Sequence, residues 1–580
     1  MFKRSFFKQA SYVVLSFFLA FLFLEVFVRI FIPQRIVPNY TTSAFGIANA
    51  LKANYQAEFV YSEGITYRIE TNSKHLRHSR NVPYAKPENT FRILCLGDSI
   101  LFGYGVNNDE TFSHYLEEIL NEKIRGMKFE VVNAGTPGWS PLEYYLFLKN
   151  EGYKYSPDLI LVTSFIDDIS HLPANRMEFA NLRYERTSNK EVNIFFNEWD
   201  VRPEGGGLST RFLQTLRQSA VYEALARSSQ LLNLIRYRLS QLWTNDEAAQ
   251  ERNPRSLDYF IKTIGLKEDD KIVGVAPTWR TPILDQDKTK SIQYYLLMDK
   301  LLESAEQMKA KLLLLNLPTY QDVLGLVIRR DRLNLGPAYM KFDPLKAVSL
   351  FQNESLIPLY FPKDNHWTPA GHRLAAILTF NFIVENRLVP NLEMGVEPVD
   401  VTDPKEVEGI RRSNRRIDEK LQASPSLLFN KGIVYYNRGQ LDLARQSLES
   451  YLQSFADDPE AYFRLSGVYI KKGNRPLAEE YLKKAIEKNP NPPPLYHKNL
   501  GVLYSDSGRH EEALEEFSQY LKWRPHDPKV LFSSGLSYGA LGNTVKAMEI
   551  FREVLRLQPG NKIAENALEQ LQAAARSTKK

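Results

Sequence analysis

Residues 91–105 read FRILCLGDSILFGYG and place a short apolar run directly before a glycine-rich turn. The run at 91–96 has the length of a buried strand and is too short for a helix. Helix-like and strand-like patterns then alternate: helix at 112–123, strand at 129–132, helix at 142–150, strand at 159–163, helix at 294–308 and strand at 312–317. This alternation predicts an α/β domain built on a parallel sheet with helices on its faces.

Length and composition limit the class of protein. The chain has 580 residues, several times the ~100–200 of one domain, so we expect two or more folded units. Hydrophobic residues make up 43% and charged residues 24%, which excludes wholesale disorder and a multispan membrane protein. A net charge of +6 over this length is too dilute for a nucleic-acid-binding surface. Cys95 is the single cysteine, so an intramolecular disulfide and a cysteine-based zinc site are both excluded.

The N-terminus carries a long apolar segment. Residues 10–28 read ASYVVLSFFLAFLFLEVFV, and the apolar character resumes as far as residue 32. That length predicts a transmembrane signal anchor at 10–32, since a hydrocarbon core of ~30 Å needs about 20 helical residues. The alternative is a cleaved signal peptide, but no small-x-small cleavage pattern follows. Lys3, Arg4 and Lys8 predict that residues 1–9 form a cytoplasmic tail and that the rest is extracytoplasmic, in a bacterial periplasm or at a cell surface.

Four copies of one pattern follow residue 425. Tyr435, Tyr469, Tyr504 and Tyr538 are separated by 34, 35 and 34 residues, and glycines and alanines keep the same register. This period and the placing of Gly, Tyr, Ala and Pro resemble the tetratricopeptide repeat (TPR). The resemblance implies an all-α solenoid over residues 425–575, with four repeats and a capping helix from residue 562 to 575. A protein or peptide partner is expected on the solenoid; a rigid spacer or an oligomerisation arm is the alternative.

Functional groups of a parallel sheet lie at the carboxyl ends of its strands, which here means residues 97–99, 133–135 and 167–168. Two nucleotide-binding patterns fail at the first of these. Gly103 and Gly105 are followed by Asn108 where a dinucleotide fingerprint needs glycine, and no GxxxxGK[ST] follows the strand. Ser99 also lacks the G-x-S-x-G elbow, because Leu101 occupies the second glycine position.

Four blocks in order, LCLGDSILFGYGV, VVNAGTPGWS, LVTSFIDDI and KDNHWTPAGH, resemble the SGNH/GDSL hydrolases over about residues 65–388, apart from an insertion near 175–290. The resemblance implies a flavodoxin-like three-layer α/β/α domain over 89–390, after a linker and lead-in segment at 33–88 and before a linker at 391–424. It also implies that Ser99 is the nucleophile, that Asp364 and His366 complete a catalytic triad, and that Gly135 and the Ser99 N–H line an oxyanion hole.

The local sequence around His366 agrees with these roles. Asp364 and His366 are two residues apart in a segment that Pro362 and Pro369 bound. Residues i and i+2 of an extended chain project to the same side, so the carboxylate can orient the imidazole beside it. The alternative is a surface turn before the final helix of the domain. No metal or dissociable cofactor is required by this chemistry.

One position departs from the family pattern. The third block of the family carries an asparagine whose amide donates to the oxyanion, and here Asp167 stands in that place, followed by Asp168. A carboxylate donates only when it is protonated, and losing one oxyanion donor typically costs ~2.7–4 kcal/mol. Asp167 is therefore protonated by burial, or the neighbouring loop is reshaped, or the domain is catalytically impaired.

Residues 175–290 have the position of a lid or substrate wall; a helix is expected around 211–243 and a short strand at 271–277. Arg411, Arg412, Arg415 and Arg416 cluster in the second linker, which favours a solvated linker or short helix over an anionic-lipid or polysaccharide contact.

Together these features predict a membrane-anchored serine esterase. Its substrate is expected to be an O-acyl group of an envelope carbohydrate or lipid, which is transferred to the serine to form an acyl-enzyme. The alternatives are an O-acetyltransferase of polysaccharide modification and a non-catalytic TPR scaffold with a degenerate SGNH domain.

Overall fold

The computed structural model describes most of the chain in two compact units, residues 1–420 and 421–580. The described residues are 20–21, 23–27, 40–61, 64–163, 177–180, 183–188, 191–195, 198–201, 271–275, 288–315, 318, 323, 340–341, 357–392 and 395–577. The predicted anchor at 10–32 lies mostly outside these ranges, and so do Asp167, Asp168 and the helix expected around 211–243. Among the described residues, no helix combines the length and apolar character needed to cross a bilayer.

Two antiparallel hairpins form the lead-in segment. Strand β1 (Thr41–Ala44) pairs with β2 (Ile47–Leu51), and β3 (Gln56–Val60) pairs with β4 (Thr66–Glu70). Phe45 and Gly46 both have positive φ, 58° and 76°, the conformation of a tight turn whose twist matches that of the flanking strands. The hairpins bury apolar side chains such as Ile47, Phe59 and Ile69.

Within the described ranges, the first unit also contains the strands β5 (Thr90–Leu96), β6 (Lys128–Asn133), β7 (Leu159–Thr163), β8 (Met177–Ala180), β9 (Arg183–Ser188), β10 (Glu191–Phe195), β11 (Glu198–Val201), β12 (Lys271–Val275), β13 (Lys311–Leu315) and β14 (Met340–Lys341). Five of them form a parallel sheet in the order β14-β13-β7-β5-β6. Every residue of β5 and β7 is buried, as expected for strands covered on both faces. The parallel sheet predicted from the apolar runs is confirmed.

Helices cover both faces of this sheet. They are α1 (Ser99–Phe102), α2 (Phe112–Lys123), α3 (Pro141–Asn150), α4 (Lys288–Gln307) and α5 (Pro369–Glu385). Helices α3 and α4 pack together over a core that includes Leu94, Val132 and Ile160. Helices α2 and α5 pack against each other, and α2 also contacts β6. The carboxyl ends of β5 and β6 therefore lie between a layer formed by α3 and α4 and a layer formed by α2 and α5.

The segment after α5 packs on the same unit. Helix α6 (Pro404–Ser413) contacts α5, and a short helix, α7 (Asp418–Ala423), follows. Asn414 accepts a hydrogen bond from Ala370 N at 2.9 Å and donates to Pro358 O at 2.8 Å. Arg416 forms an ion pair with Glu110 at 2.6 Å. Arg416 therefore connects the segment after α6 to the residues just before α2.

The second unit consists of helix pairs followed by one last helix. Its helices are α8 (Pro425–Asn437), α9 (Leu441–Ser454), α10 (Pro459–Lys471), α11 (Arg475–Glu487), α12 (Pro494–Asp506), α13 (His510–Trp523), α14 (Pro528–Ala540), α15 (Thr544–Leu557) and α16 (Lys562–Ser577). Gly439, Gly473, Gly508 and Gly542 end the first helix of each pair with φ near +75°. A left-handed residue at this point turns the chain sharply into the second helix. The predicted all-α solenoid is confirmed.

Candidate active site

Ser99 stands at the carboxyl end of β5, at the first residue of α1. Asp98 caps this helix, since its carboxylate accepts a hydrogen bond from Ile100 N at 2.9 Å. Burial raises the pKa of Asp98, against the lowering effect of that hydrogen bond. Residue 97, just before the turn, has room only for glycine, because a Cβ there would lie 2.0 Å from Thr163 Oγ1 on the neighbouring strand. The strand-to-helix turn thus presents the Ser99 hydroxyl above the edge of the sheet.

His366 and Asp364 reach the same point from a turn ahead of α5. Phe361 N donates to His366 O at 3.0 Å, and Asp364 N donates to Phe361 O at 3.1 Å, which closes the turn. Thr368 then caps α5 by accepting a hydrogen bond from Gly371 N. A fixed helix start and a closed turn hold the two side chains near each other; the segment is a turn and not the extended chain from which the sequence argument started, and Lys363 within it has a φ of 56°.

The three side chains form a continuous hydrogen-bonded chain. His366 Nε2 lies 2.8 Å from Ser99 Oγ, and His366 Nδ1 lies 2.6 Å from Asp364 Oδ1. Asp364 Oδ1 also accepts from His366 N at 2.9 Å. An imidazole that donates from Nδ1 to a carboxylate keeps Nε2 available to accept the serine proton, the arrangement that makes a hydroxyl nucleophilic near neutral pH.

Asp364 is held in its charged form. Burial alone would raise its pKa, but hydrogen bonds from the His366 and Tyr61 side chains, together with the charge of His366, lower the pKa below its usual value. An ionised carboxylate can balance the positive charge that His366 acquires when it takes a proton. The site therefore has both a base and a counter-charge for it.

Tyr61 is a member of the site that sequence reasoning missed. Its hydroxyl donates to Asp364 Oδ2 and lies 3.1 Å from His366 Nδ1. Tyr61 follows β3 in the lead-in segment, where several tyrosines and phenylalanines alternate with polar residues. That aromatic content was the one available signal, and nothing in it singled out residue 61.

The Gly135 N–H is engaged within the chain. It donates to Asn133 Oδ1 at 2.9 Å. A Cβ at residue 135 would lie 2.4 Å from Phe102 N, so the backbone of this loop approaches the end of α1 very closely. Gly135 therefore lies beside the helix that carries Ser99, and a bound oxyanion would have to compete with Asn133 for its N–H. Asp167, the third predicted oxyanion contact, is outside the described residues.

Comparison with known proteins finds similarity in the second unit. Residues 435–503 and 498–562 match two family models, both described as tetratricopeptide repeat. No curated protein matches the chain.

Solved structures similar to this chain include YrrB, described as a TPR protein with an unusual peptide-binding site. It is 22% identical, with 29% of this chain and 87% of that one covered and a TM-score of 0.25. A MamA structure is also 22% identical, with coverage of 26% and 82% and a TM-score of 0.23. The C-terminal part of a TPR repeat-containing protein from Cytophaga hutchinsonii is 21% identical, with coverage of 30% and 68% and a TM-score of 0.26. The chain thus joins an α/β unit to a C-terminal domain of tetratricopeptide repeats.

Proposed function

We propose that this protein is a serine esterase of the SGNH/GDSL type, acting through an acyl-enzyme on an O-acyl group of an envelope carbohydrate or lipid. The observation that carries the proposal is the hydrogen-bonded chain from Ser99 Oγ through His366 to Asp364, with contacts of 2.8 and 2.6 Å. Serine, imidazole and carboxylate in this connectivity perform acyl transfer on several unrelated folds.

In the proposed reaction, Ser99 Oγ attacks the acyl carbonyl carbon while His366 Nε2 takes the hydroxyl proton. Asp364 holds the imidazole and balances its positive charge. His366 then returns the proton to the departing alkoxide, which leaves an ester on Ser99. Water, activated by the same imidazole, attacks this ester and releases the acid, so that Ser99 is regenerated. A sugar hydroxyl in place of water would give O-acetyl transfer.

The proposal assigns the developing oxyanion to the Ser99 N–H, with Gly135 and Asp167 as further contacts. Because the Gly135 N–H already donates to Asn133 Oδ1, its contribution requires exchange of that bond for one to the substrate. An ionised Asp167 would oppose the negative charge. We therefore expect a slow enzyme whose rate is limited by weak oxyanion stabilisation.

The proposal includes attachment to a membrane through residues 10–32, which rests on the length of that apolar segment and its basic flank. It places the esterase and repeats outside the cytoplasm. TPR solenoids bind proteins and peptides on their concave surface, so a protein or peptide partner is expected for residues 425–575.

The test is labelling of the full chain in detergent with a fluorophosphonate probe, followed by peptide mapping. We expect one labelled serine, Ser99, and complete loss of labelling in Ser99→Ala. Ser79→Ala is the matched control, because Ser79 is an exposed serine of the lead-in segment. Absence of labelling in the folded wild-type chain, or labelling at another serine, would contradict the proposal and favour a non-catalytic TPR scaffold.

The departure at residue 167 is tested separately by Asp167→Asn. Restoring an amide donor should raise the rate of ester hydrolysis by about 10- to 100-fold, since one oxyanion donor is commonly worth that much or more. The measurement is kcat on a small aryl ester at neutral pH. If hydrolysis fails to rise, residue 167 does not contact the oxyanion.

A further inference from the structure

The carboxylate of Asp364 accepts hydrogen bonds on both of its oxygens. Oδ1 accepts from the His366 ring at 2.6 Å and from the His366 backbone N–H at 2.9 Å. Oδ2 accepts from the hydroxyl of Tyr61, which is 303 residues away in the chain. The side chain of Asp364 is 31% exposed, so without this second anchor its carboxylate would be held on one oxygen at a partly solvated position.

The Tyr61 hydroxyl is fixed by the packing of its ring. The ring is 8% exposed and contacts Phe361 at 4.6 Å, Tyr104 at 5.4 Å and Tyr67 at 6.2 Å between centroids. The backbone of Tyr61 is fixed as well, since its N–H donates to Ile65 O at 2.7 Å. Burial, followed by the charge of Asp364, raises the pKa of Tyr61 far above its usual value, so the hydroxyl remains a donor.

The same hydroxyl faces the imidazole. Its oxygen lies 3.1 Å from His366 Nδ1. When the phenolic proton points to Asp364, an oxygen lone pair is available to the Nδ1–H. Both contacts therefore favour the tautomer that carries its proton on Nδ1 and leaves Nε2 as the acceptor for Ser99.

We propose that Tyr61 is a positioning residue that locks the Asp364 carboxylate and the His366 tautomer, so that the lead-in segment completes a site otherwise built on the α/β sheet. Its kinetic consequence rests on the proposed esterase function, whereas its effect on the Asp364–His366 contact does not. Tyr61 touches no reacting atom and acts through its two neighbours.

The first experiment compares Tyr61→Phe with Tyr67→Phe in the full chain. Both changes remove one hydroxyl from the same buried aromatic cluster, but the Tyr67 ring packs on Tyr104 at 5.9 Å and on Tyr61 at 6.2 Å between centroids, and among the described residues Tyr67 forms no side-chain hydrogen bond to the triad. Ser99 labelling is measured over a range of fluorophosphonate concentrations. The readouts are the maximal rate constant of labelling and the probe concentration that gives half of it. We expect Tyr61→Phe to lower the rate constant roughly tenfold, the effect of a hydrogen bond to a charged group, with the half-saturating concentration unchanged. Tyr67→Phe should label at the wild-type rate.

A double-mutant cycle with Asp364→Ala separates positioning from a general packing effect. If Tyr61 is a positioning residue, the effect of removing its hydroxyl should change in the Asp364→Ala chain: it should vanish where Tyr61 acts through the carboxylate, or grow where the hydroxyl becomes the remaining acceptor for the His366 Nδ1–H. A packing effect would instead slow labelling by the same factor in both backgrounds. That result, or wild-type labelling by Tyr61→Phe, would overturn the inference.

A proton NMR spectrum tests the contact without any catalysis. The Nδ1–H between His366 and Asp364 should give a strongly downfield resonance that moves in Tyr61→Phe and stays in place in Tyr67→Phe. If the wild-type chain takes up no probe but the resonance moves as expected, the esterase proposal fails and the positioning role stands. An unmoved resonance in Tyr61→Phe overturns the positioning role whatever the labelling result.

Discussion

Three side chains on one side of β6 close the outer edge of the parallel sheet. Asn121 accepts from Phe129 N at 3.0 Å, Glu117 accepts from Val131 N at 2.7 Å, and His78 Nε2 accepts from Asn133 N at 3.0 Å. An open edge strand invites pairing with another chain, and these acceptors satisfy every second N–H of β6. His78 Nε2 must be unprotonated to accept the hydrogen bond from Asn133 N. Burial lowers its pKa to about 4.

This gives a pH dependence of stability. The unfolded chain binds the His78 proton near pH 6.5, whereas the folded chain binds it only near pH 4, so unfolding takes up a proton between these values. The free energy of unfolding should decrease as the pH is lowered from about 6.5 to about 4, by about 1–3 kcal/mol after allowance for the partial exposure of the side chain. His78→Gln keeps an acceptor but does not titrate. Urea unfolding followed by tryptophan fluorescence from pH 7.5 to 4.5 should show the wild type losing this stability relative to the variant; parallel curves would contradict the assignment.

At the next scale, the repeats depend on close approach between the helices of a pair. Gly501 in α12 faces Phe517 in α13, and a Cβ at residue 501 would lie 2.7 Å from the buried ring. Gly467 in α10 differs, because a Cβ there would lie 3.5 Å from Tyr436, an ordinary contact distance. The two helical glycines therefore have different roles, although both belong to the first helix of a repeat.

Alanine at these two sites should have opposite effects. We expect Gly501→Ala to destabilise its repeat by about 1–3 kcal/mol, because the buried ring has to move. Gly467→Ala should be neutral or stabilise by up to about 1 kcal/mol, since alanine favours the helix and meets no obstruction. Hydrogen exchange of the α12 and α10 amides in the full chain measures each local effect. If the α12 amides of Gly501→Ala exchange as slowly as those of the wild type, the close helix approach at residue 501 does not require glycine.

At the scale of the whole molecule, the α/β unit includes residues beyond α5. Asn414 is 1% exposed and satisfies the buried Ala370 N–H and Pro358 carbonyl, next to the turn that carries His366. Arg416 donates to Thr66 O at 2.5 Å and pairs with Glu110. The predicted linker at 391–424 thus contributes structural contacts to the unit that contains the candidate site.

Truncation tests whether the α/β unit extends to residue 420. A fragment of residues 40–420 should keep the stability of the α/β unit, whereas 40–403 should lose about 1–3 kcal/mol, because the buried Ala370 N–H is left without its partner and the Pro358 carbonyl keeps only its bond from Thr368. Asn414→Ala in the full chain should reproduce much of that loss. The measurement is the urea midpoint of each chain. Equal midpoints for the two fragments would show that residues 404–420 are a true linker.

Local patterns along the chain were sufficient for most strands and helices of the parallel sheet, since the length of an apolar run separates a strand from a helix, but they did not predict the lead-in hairpins β1–β4. The helix at 112–123 was predicted with its observed bounds, and the strand at 159–163 likewise. The TPR register was also readable, because each repeat packs mainly on its neighbours. The approach of Ser99 to His366 joins residues 267 apart, and Tyr61 reaches Asp364 across 303. Motifs predicted the first pair, but only packing of the lead-in hairpins brings Tyr61 to the carboxylate, because no short-range pattern encodes contacts between segments so distant in the chain.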